Sequence, residues 1–325
     1  MRVLVTGGAG YVGSVSVERL VDAGHEVAVL DSLVTGHAES VIPGVELVRG
    51  TIGDREADAR LLRDRRIDAV LHCAARSLVG QSISDPALYY HENVVGGISL
   101  LDAMRDAGVT RLVFSSTAAV YGEPESIPIR ETDIAVPINP YGTTKLATEG
   151  AMRWYATYGL RTVSLRYFNV AGASERNGEK HSPETHLIPN VLAAAQGGRP
   201  VTLFGSDYAT PDGTAIRDYI HVLDLADAHL AALERAMSAE PGFEAMNLGS
   251  GGGFSVRDVL RVAESLVGGP IPHTMGERRA GDPPVLVASN TLALERLGWR
   301  PARSSLEEMI GSAWRWMKAH REAAA

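Results

Sequence analysis

Two short segments hold residues whose types and spacing can do chemistry. Gly7, Gly10 and Gly13 recur at G-x-x-G-x-x-G spacing directly after the apolar run Val3-Leu4-Val5. Far along the chain, Tyr141 and Lys145 stand four residues apart in Tyr141-Gly142-Thr143-Thr144-Lys145. Glycines after a strand allow close backbone approach and leave free amides at a helix start, which is what a dinucleotide pyrophosphate needs. A tyrosine and a lysine four apart share one helix face. A free phenol titrates near ~10 and is a poor base at neutral pH. A nearby ammonium, together with the charge of an oxidised nicotinamide, favours phenolate and lowers that value. Proton abstraction from a sugar hydroxyl then becomes feasible. Thr117, at the end of a predicted strand, donates or relays a hydrogen bond to the same hydroxyl. The expected chemistry is removal of a proton and a hydride from one alcohol.

Asp31 lies eighteen residues past Gly13, at the end of the second predicted strand. A carboxylate there accepts hydrogen bonds from both hydroxyls of an adenosine ribose and repels a 2′-phosphate. No arginine stands in Asp31-Ser32-Leu33-Val34, so NAD is expected over NADP.

The elements that must position these groups follow from the apolar pattern. Arg2–Thr6, His25–Asp31, Val45–Val48, Ala69–Cys73, Arg111–Ser115 and Thr162–Tyr167 read as strands, with helices between them. Gly13–Ala23 and Tyr141–Tyr158 are predicted helices. Strands alternating with helices imply right-handed crossovers and an α/β, Rossmann-type doubly wound parallel sheet covered on both faces. Such sheets bind ligands at the carboxyl ends of their strands, where Ser115-Ser116-Thr117 falls. The texture changes after about Gly172: Ser174–Pro183 reads as a polar surface loop, and Gly249–Gly253 as a flexible turn or hinge. The predicted division is a dinucleotide-binding region over 1–170, also taking in about 218–248, and a smaller substrate-binding region over 171–325.

The chain has 325 residues, 45% of them hydrophobic and 22% charged, as in a soluble globular protein. A formal net charge of −8 and the lack of any basic block give no pull toward nucleic acid. No apolar run is long enough to cross a bilayer, and no cleavable leader precedes the first strand, so the expected location is cytoplasmic. A lone cysteine, Cys73, excludes an internal disulfide and a cysteine-built metal centre, and is read as a small core residue. The ten histidines show no H-x-x-x-H pair, so no metal is expected, and His186 and His221 are read as local hydrogen-bonding residues. Trp314 and Trp316, with Leu306 and Met309, are predicted to pack a C-terminal amphipathic helix.

Gly7–Gly13, Tyr141 and Lys145 resemble the extended short-chain dehydrogenase/reductase superfamily. The resemblance narrows at Phe114–Thr117, Asn139–Gly142, Arg166–Asn169, Ile216–Val222 and Asn247–Gly249, which are similar to the UDP-glucose (UDP-galactose) 4-epimerase family over essentially the whole chain. It implies that Tyr141 takes the proton of a 4-hydroxyl, with Lys145 and Thr117, while C4 exchanges hydride with tightly held NAD. The keto sugar turns over and is reduced on its other face, so no net redox occurs.

The same resemblance implies cofactor contacts from Gly7, Gly10, Tyr11, Val12, Gly13, Asp31 and Ser32. Thr51, Ile52, Cys73, Ala74, Ala75, Asn93 and Ser115 belong to that implied set, as do Tyr141, Lys145, Tyr167 and Phe168. Asn169, Arg217, Arg279 and Asp282 are assigned to the UDP moiety. Arg76, Ser77, Thr117, Tyr141, His186 and Leu187 complete the implied substrate wall, with Thr202, Phe204, Tyr219 and Leu286. A homodimer through roughly Tyr89–Ala107 and Tyr141–Tyr158 is also implied.

Three departures bear on specificity. Thr51 stands where the family usually has an aspartate at adenine, and Asp54 is out of register. Arg76 stands where many relatives carry a hydrophobic residue, and either points at a cofactor phosphate or solvent or places a cation where a UDP-glucuronate carboxylate would benefit. Leu286 replaces a larger residue and leaves room for an N-acetyl group. Ala118 and Ala119 stand where a dehydratase or a decarboxylase needs a carboxylate, and neither alanine transfers a proton. A net dehydrogenase and an NAD-sensing regulator without activity complete the alternatives.

Overall fold

The computed structural model describes residues 1–238, 240–278 and 282–322. β1 (Arg2–Thr6) leads through the glycine turn into α1 (Tyr11–Asp22), followed by β2 (Glu26–Asp31) and β3 (Glu46–Arg49). α2 (Arg55–Asp64) returns the chain to β4 (Ala69–His72). α3 (Val79–Ser84), α4 (Pro86–Tyr89), a π-helical turn (Tyr90–Val95) and α5 (Gly96–Ala107) lead to β5 (Arg111–Thr117). α6 (Pro140–Tyr155) and β6 (Arg161–Tyr167) follow, then β7 (Asn169–Ala171) and α7 (Leu187–Ala195). Beyond these come β8 (Val201–Phe204), β9 (Ile216–Arg217), β10 (Tyr219–His221), α8 (Val222–Ser238) and β11 (Gly242–Leu248). The chain closes with β12 (Phe254–Ser255), α9 (Val256–Val267), β13 (His273–Gly276), β14 (Val285–Leu286), α10 (Thr291–Leu297) and α11 (Leu306–Glu322).

Seven strands form one parallel sheet in the order β11-β6-β5-β4-β1-β2-β3. Alternation along each strand feeds two apolar layers. Val3 and Val5 point into the layer shared with α1 and α8, while Leu4 points into the layer shared with α2, α5 and α6. Burial on both faces is why β1 and β4 read as continuous apolar runs. A third apolar cluster joins α7, α9 and α11 around Val191, Val259 and Met309. Among the described residues no helix is long and apolar enough to cross a membrane.

One expectation is corrected here. Gly249–Gly253 is a pinned turn and not a hinge. The fully buried Asp218 carboxylate accepts from Ser250 N, Ser250 Oγ, Gly251 N and Ala288 N. Cys73 stands just beyond β4, packs against the apolar cluster on one side and borders the cleft on the other, with Ser115 Oγ donating to its sulfur at 3.2 Å.

Asp58, on the inner face of α2, is buried and its Oδ2 has no hydrogen-bond partner. Burial, with the neighbouring Asp54 charge, pushes its carboxyl up to about 7. Raised above its unfolded value of ~3.9, this group's contribution to stability is lost as pH rises toward 7. Asp58→Asn is expected to remove that slope. Its unfolding free energy in urea should exceed the wild type's by about 4 kcal/mol at pH 8 and match it near pH 4.

Candidate active site

β1 and β4 are neighbours whose connections leave to opposite sides of the sheet, and a cleft of 1430 Å³ opens at their carboxyl ends. Gly7 turns the chain at φ +72°, and a Cβ there would strike the Ala74 backbone. A Cβ at Gly13 would collide with the Gly7 carbonyl. Gly10 starts α1 without a side-chain cap, so the first-turn amides face the cleft unblocked. Asp31, at the end of β2, accepts from Ala9 N at 2.9 Å and Leu33 N at 2.8 Å. Ser32, Thr51 and Ile52 continue that wall, while Asp54 caps α2 by accepting from Ala57 N. A carboxylate beside a bare helix start, with glycines where any side chain would fill the cradle, fits a dinucleotide.

Asn139 caps α6 by accepting from Gly142 N, and the first two turns of the helix carry Tyr141 and Lys145 into the same cleft. Lys145 is 3% exposed; its Nζ donates to Ser115 O at 2.8 Å and lies 5.9 Å from the Tyr141 ring centre. Burial brings Lys145 down to about 8, opposed by Cys73 and Glu149. Burial pushes the Tyr141 phenol up to about 12, while a hydrogen bond with Thr117 pulls it down. The sequence predicts a phenol lowered by the ammonium together with the charge of an oxidised nicotinamide. With the protein's groups alone desolvation is the larger effect, and Lys145 is anchored on the Ser115 carbonyl and not on the phenol oxygen.

Behind the pair lies a buried polar network. Glu149, one turn beyond Lys145, accepts from Ser116 Oγ and Ser164 Oγ, both at 2.6 Å, and pairs with Arg166 Nη2 at 2.6 Å. Arg166 Nη1 donates to Tyr121 OH, which donates to Asn247 Oδ1. The network thus ties α6, β5, β6 and β11 beneath the reacting groups.

The opposite wall comes from the second half of the chain. Arg217 Nη2 pairs with Asp282 Oδ1 at 2.5 Å, and Tyr208 OH donates to Asp282 Oδ2. Leu286 stands in register with Arg217 across β14 and β9. Tyr167, Phe168, Asn169, His186, Leu187, Thr202, Phe204 and Tyr219 line the same cleft. So do Tyr11, Val12, Ala74, Ala75, Arg76 and Ser77. Arg76 Nε is 3.9 Å from Glu92 Oε2, a loose pair within the wall.

Asn93 and Ser115 stand behind the wall and not in it. Asn93 brackets the Arg76 backbone and donates to Thr144 Oγ1, and Ser115 carries the Lys145 anchor. Arg279 lies outside the described residues. His221 is buried and hydrogen-bonded to Ser312. Sequence reasoning missed Glu149, Glu179, His181 and Glu184, and gave no role to Arg166 and Asp218 although both lie in the motifs named above. The i+4 spacing of Glu149 from Lys145 was the one available signal for the first of them.

The family described as the NAD dependent epimerase/dehydratase family matches residues 3–249. A UDP-glucose 4-epimerase of Lactobacillus helveticus is 49% identical over 324 residues, 98% of each chain. The UDP-glucose 4-epimerase of Brucella ovis, solved in complex with NAD, superposes with a TM-score of 0.93 at 46% identity over 97% of each chain. That of Bifidobacterium longum, solved with NAD+ and UDP, gives 0.93 at 34% identity over 99% of each chain.

The buried pair makes a measurable demand. Glu149→Ala leaves the Arg166 guanidinium without its counter-charge, and is expected to cost about 3–5 kcal/mol in denaturant unfolding. An effect below ~1 kcal/mol would mean that water or a neighbour replaces the carboxylate.

Proposed function

This chain belongs to the NAD dependent epimerase/dehydratase family, and we propose that it interconverts UDP-glucose and UDP-galactose by inverting C4. The observation that carries the reading is the convergence of Tyr141, Lys145 and Thr117 with the glycine cradle and the Arg217 wall in one cleft. When bound, NAD supplies the acceptor and donor for the C4 hydrogen. Gly7, Gly10, Gly13 and Asp31 would hold it.

Tyr141 accepts the proton of the 4-hydroxyl, and Thr117 steadies that hydroxyl and the phenol together. Lys145 keeps positive charge beside the phenol as it ionises, at a site where burial makes each charge count more than in water. Arg217 and Asn169 grip the diphosphate, and Asp282 is the carboxylate that Arg217 must share with it. Forked guanidinium donors match phosphate oxygens, so the nucleotide stays fixed while the keto sugar turns. Tyr141 then returns the proton to a hydroxyl on the inverted carbon. Ala118 and Ala119, next to Thr117 in the wall, have no proton to transfer, which favours epimerisation over elimination.

Arg76 faces the cleft with Glu92 beside it, and that carboxylate offsets the attraction Arg76 offers a uronate. The reading therefore keeps a neutral hexose ahead of UDP-glucuronate, and the small Leu286 wall keeps UDP-N-acetylglucosamine as a second substrate to assay. We assign residues 1–170 with 218–248 to cofactor binding, 171–325 to the nucleotide-sugar, and a cytoplasmic location. The proposed assembly is a homodimer through 89–107 and 141–158. Val95, Ile98, Trp154 and Tyr158 support it, being exposed on those segments, Trp154 by 76%.

Purified protein is expected to convert UDP-galactose to UDP-glucose without added NAD. Tyr141→Phe should lower kcat by ~10²–10⁴ with little change in unfolding midpoint. Absence of any 4-epimer from UDP-glucose, UDP-glucuronate and UDP-N-acetylglucosamine would overturn the reading. Light scattering should give twice the chain mass, and Trp154→Glu with Ile98→Glu should give the monomer.

A further inference from the structure

The loop between β7 and α7 builds the same three-residue device twice. In Glu179-Lys180-His181, Glu179 Oε1 accepts from Lys180 N at 2.9 Å, His181 N at 3.0 Å and His181 Nδ1 at 2.5 Å. In Glu184-Thr185-His186, Glu184 Oε1 accepts from Thr185 N at 2.6 Å, His186 N at 2.7 Å and His186 Nδ1 at 2.7 Å. A carboxylate that takes the Nδ1 proton fixes the tautomer and aims Nε2 away from the loop. Among the described residues neither Nε2 makes a hydrogen bond with the protein. The two rings lie 5.7 Å apart, and both dyads line the cleft with Arg217. Glu179 and His181 also border the glycine turn at Ala9 and Tyr11, while His186 opens α7 beside Leu187.

We propose that these two Glu-x-His dyads form a proton-dependent clamp in which each Nε2–H donates to an oxygen of a bound diphosphate ester. The inference rests on the functional reading above, which places two diphosphates in this cleft, one from the dinucleotide and one from the nucleotide-sugar. The donor atoms of Glu179, His181 and His186 lie within 4.8 Å of one another, a grouping that also suits a divalent cation. A cation taking either Nδ1 would have to break that ring's hydrogen bond to its carboxylate. Glu179 Oε1 and Glu184 Oε1 each already accept three hydrogen bonds, and what faces outward from each dyad is an imidazole edge.

The surroundings favour the protonated rings. The groups facing them are Glu179, Glu184 and Lys180 on the loop, Tyr11 on α1, Glu39 and His37 near Ser40, and Arg217 on β9. The Glu179 hydrogen bond raises His181 against burial; burial and the His181 charge lower His186, but the Glu184 bond and both carboxylates outweigh them and leave it raised. The clamp is therefore charged below these raised values and is lost as pH rises through them.

The test measures UDP binding by titration calorimetry and retention of bound NAD+ during gel filtration at pH 6.5 and 8.5, for wild type and for His181→Asn/His186→Asn. Loss of the clamp is expected to weaken UDP about tenfold per dyad, the size of one charge-assisted hydrogen bond. The double variant should be weak at both values and flat with pH. Glu179→Gln keeps the ring and lowers its basicity, so its loss of affinity should begin at lower pH, which a merely structural role does not produce. A pH effect on UDP alone assigns the clamp to the nucleotide-sugar, and one on NAD+ retention assigns it to the dinucleotide. Unchanged pH profiles in both variants would overturn it. So would a stoichiometric metal in the purified protein that the double variant lacks. Lack of epimerase activity would sink the functional reading alone, since UDP and NAD+ binding are measured independently of turnover.

Discussion

One buried carboxylate holds the working end of this fold in place. Glu149 receives Ser116 from β5, Ser164 from β6 and the Arg166 guanidinium. It does so from α6, one turn beyond the lysine that faces the cleft. A charge in the interior is tolerated only with a partner and a full set of hydrogen bonds. That requirement leaves α6 little freedom to slide or rotate against the sheet. The position of Tyr141 relative to Thr117 is therefore inherited from a charge pair that touches neither of them.

The second constraint is steric. Gly7 and Gly13 let the first turn pass against Ala74 and against itself, closer than any side chain permits. The resulting cradle lies between β1 and β4, where connections depart to opposite faces and leave the strand ends uncovered. Asp218 does the equivalent work across the cleft. Its carboxylate gathers the 249–251 turn and Ala288 N, which holds β14, and with it Leu286, beside Arg217.

Electrostatics in the cleft follow burial more than pairing. Tyr141 is driven up and Lys145 down by the same desolvation, so the phenol stays neutral until further charge enters while Lys145, at about 8, still carries its charge at neutral pH. A tyrosine in this state acts as a base only when positive charge arrives next to it, which couples its proton chemistry to occupancy of the cleft.

The sequence by itself determined the parallel α/β sheet, because strands buried on both faces must be continuously apolar and helices between them must repeat every 3.6 residues. It also located the glycine cradle, Asp31 and the Tyr141–Lys145 face, since each depends on spacing within a single turn or strand end. Only the tertiary structure decided which residues support them. Glu149 with Arg166, Asp218 with the 250 turn, and Asn93 with Arg76 are pairings between segments separated by sequence, and no local period encodes them. It alone buried Tyr141 and Lys145 and brought the loop that carries His181 and His186 to the cleft that holds Arg217. Burial and long-range pairing are properties of the packed chain, and neither can be read from neighbours in sequence.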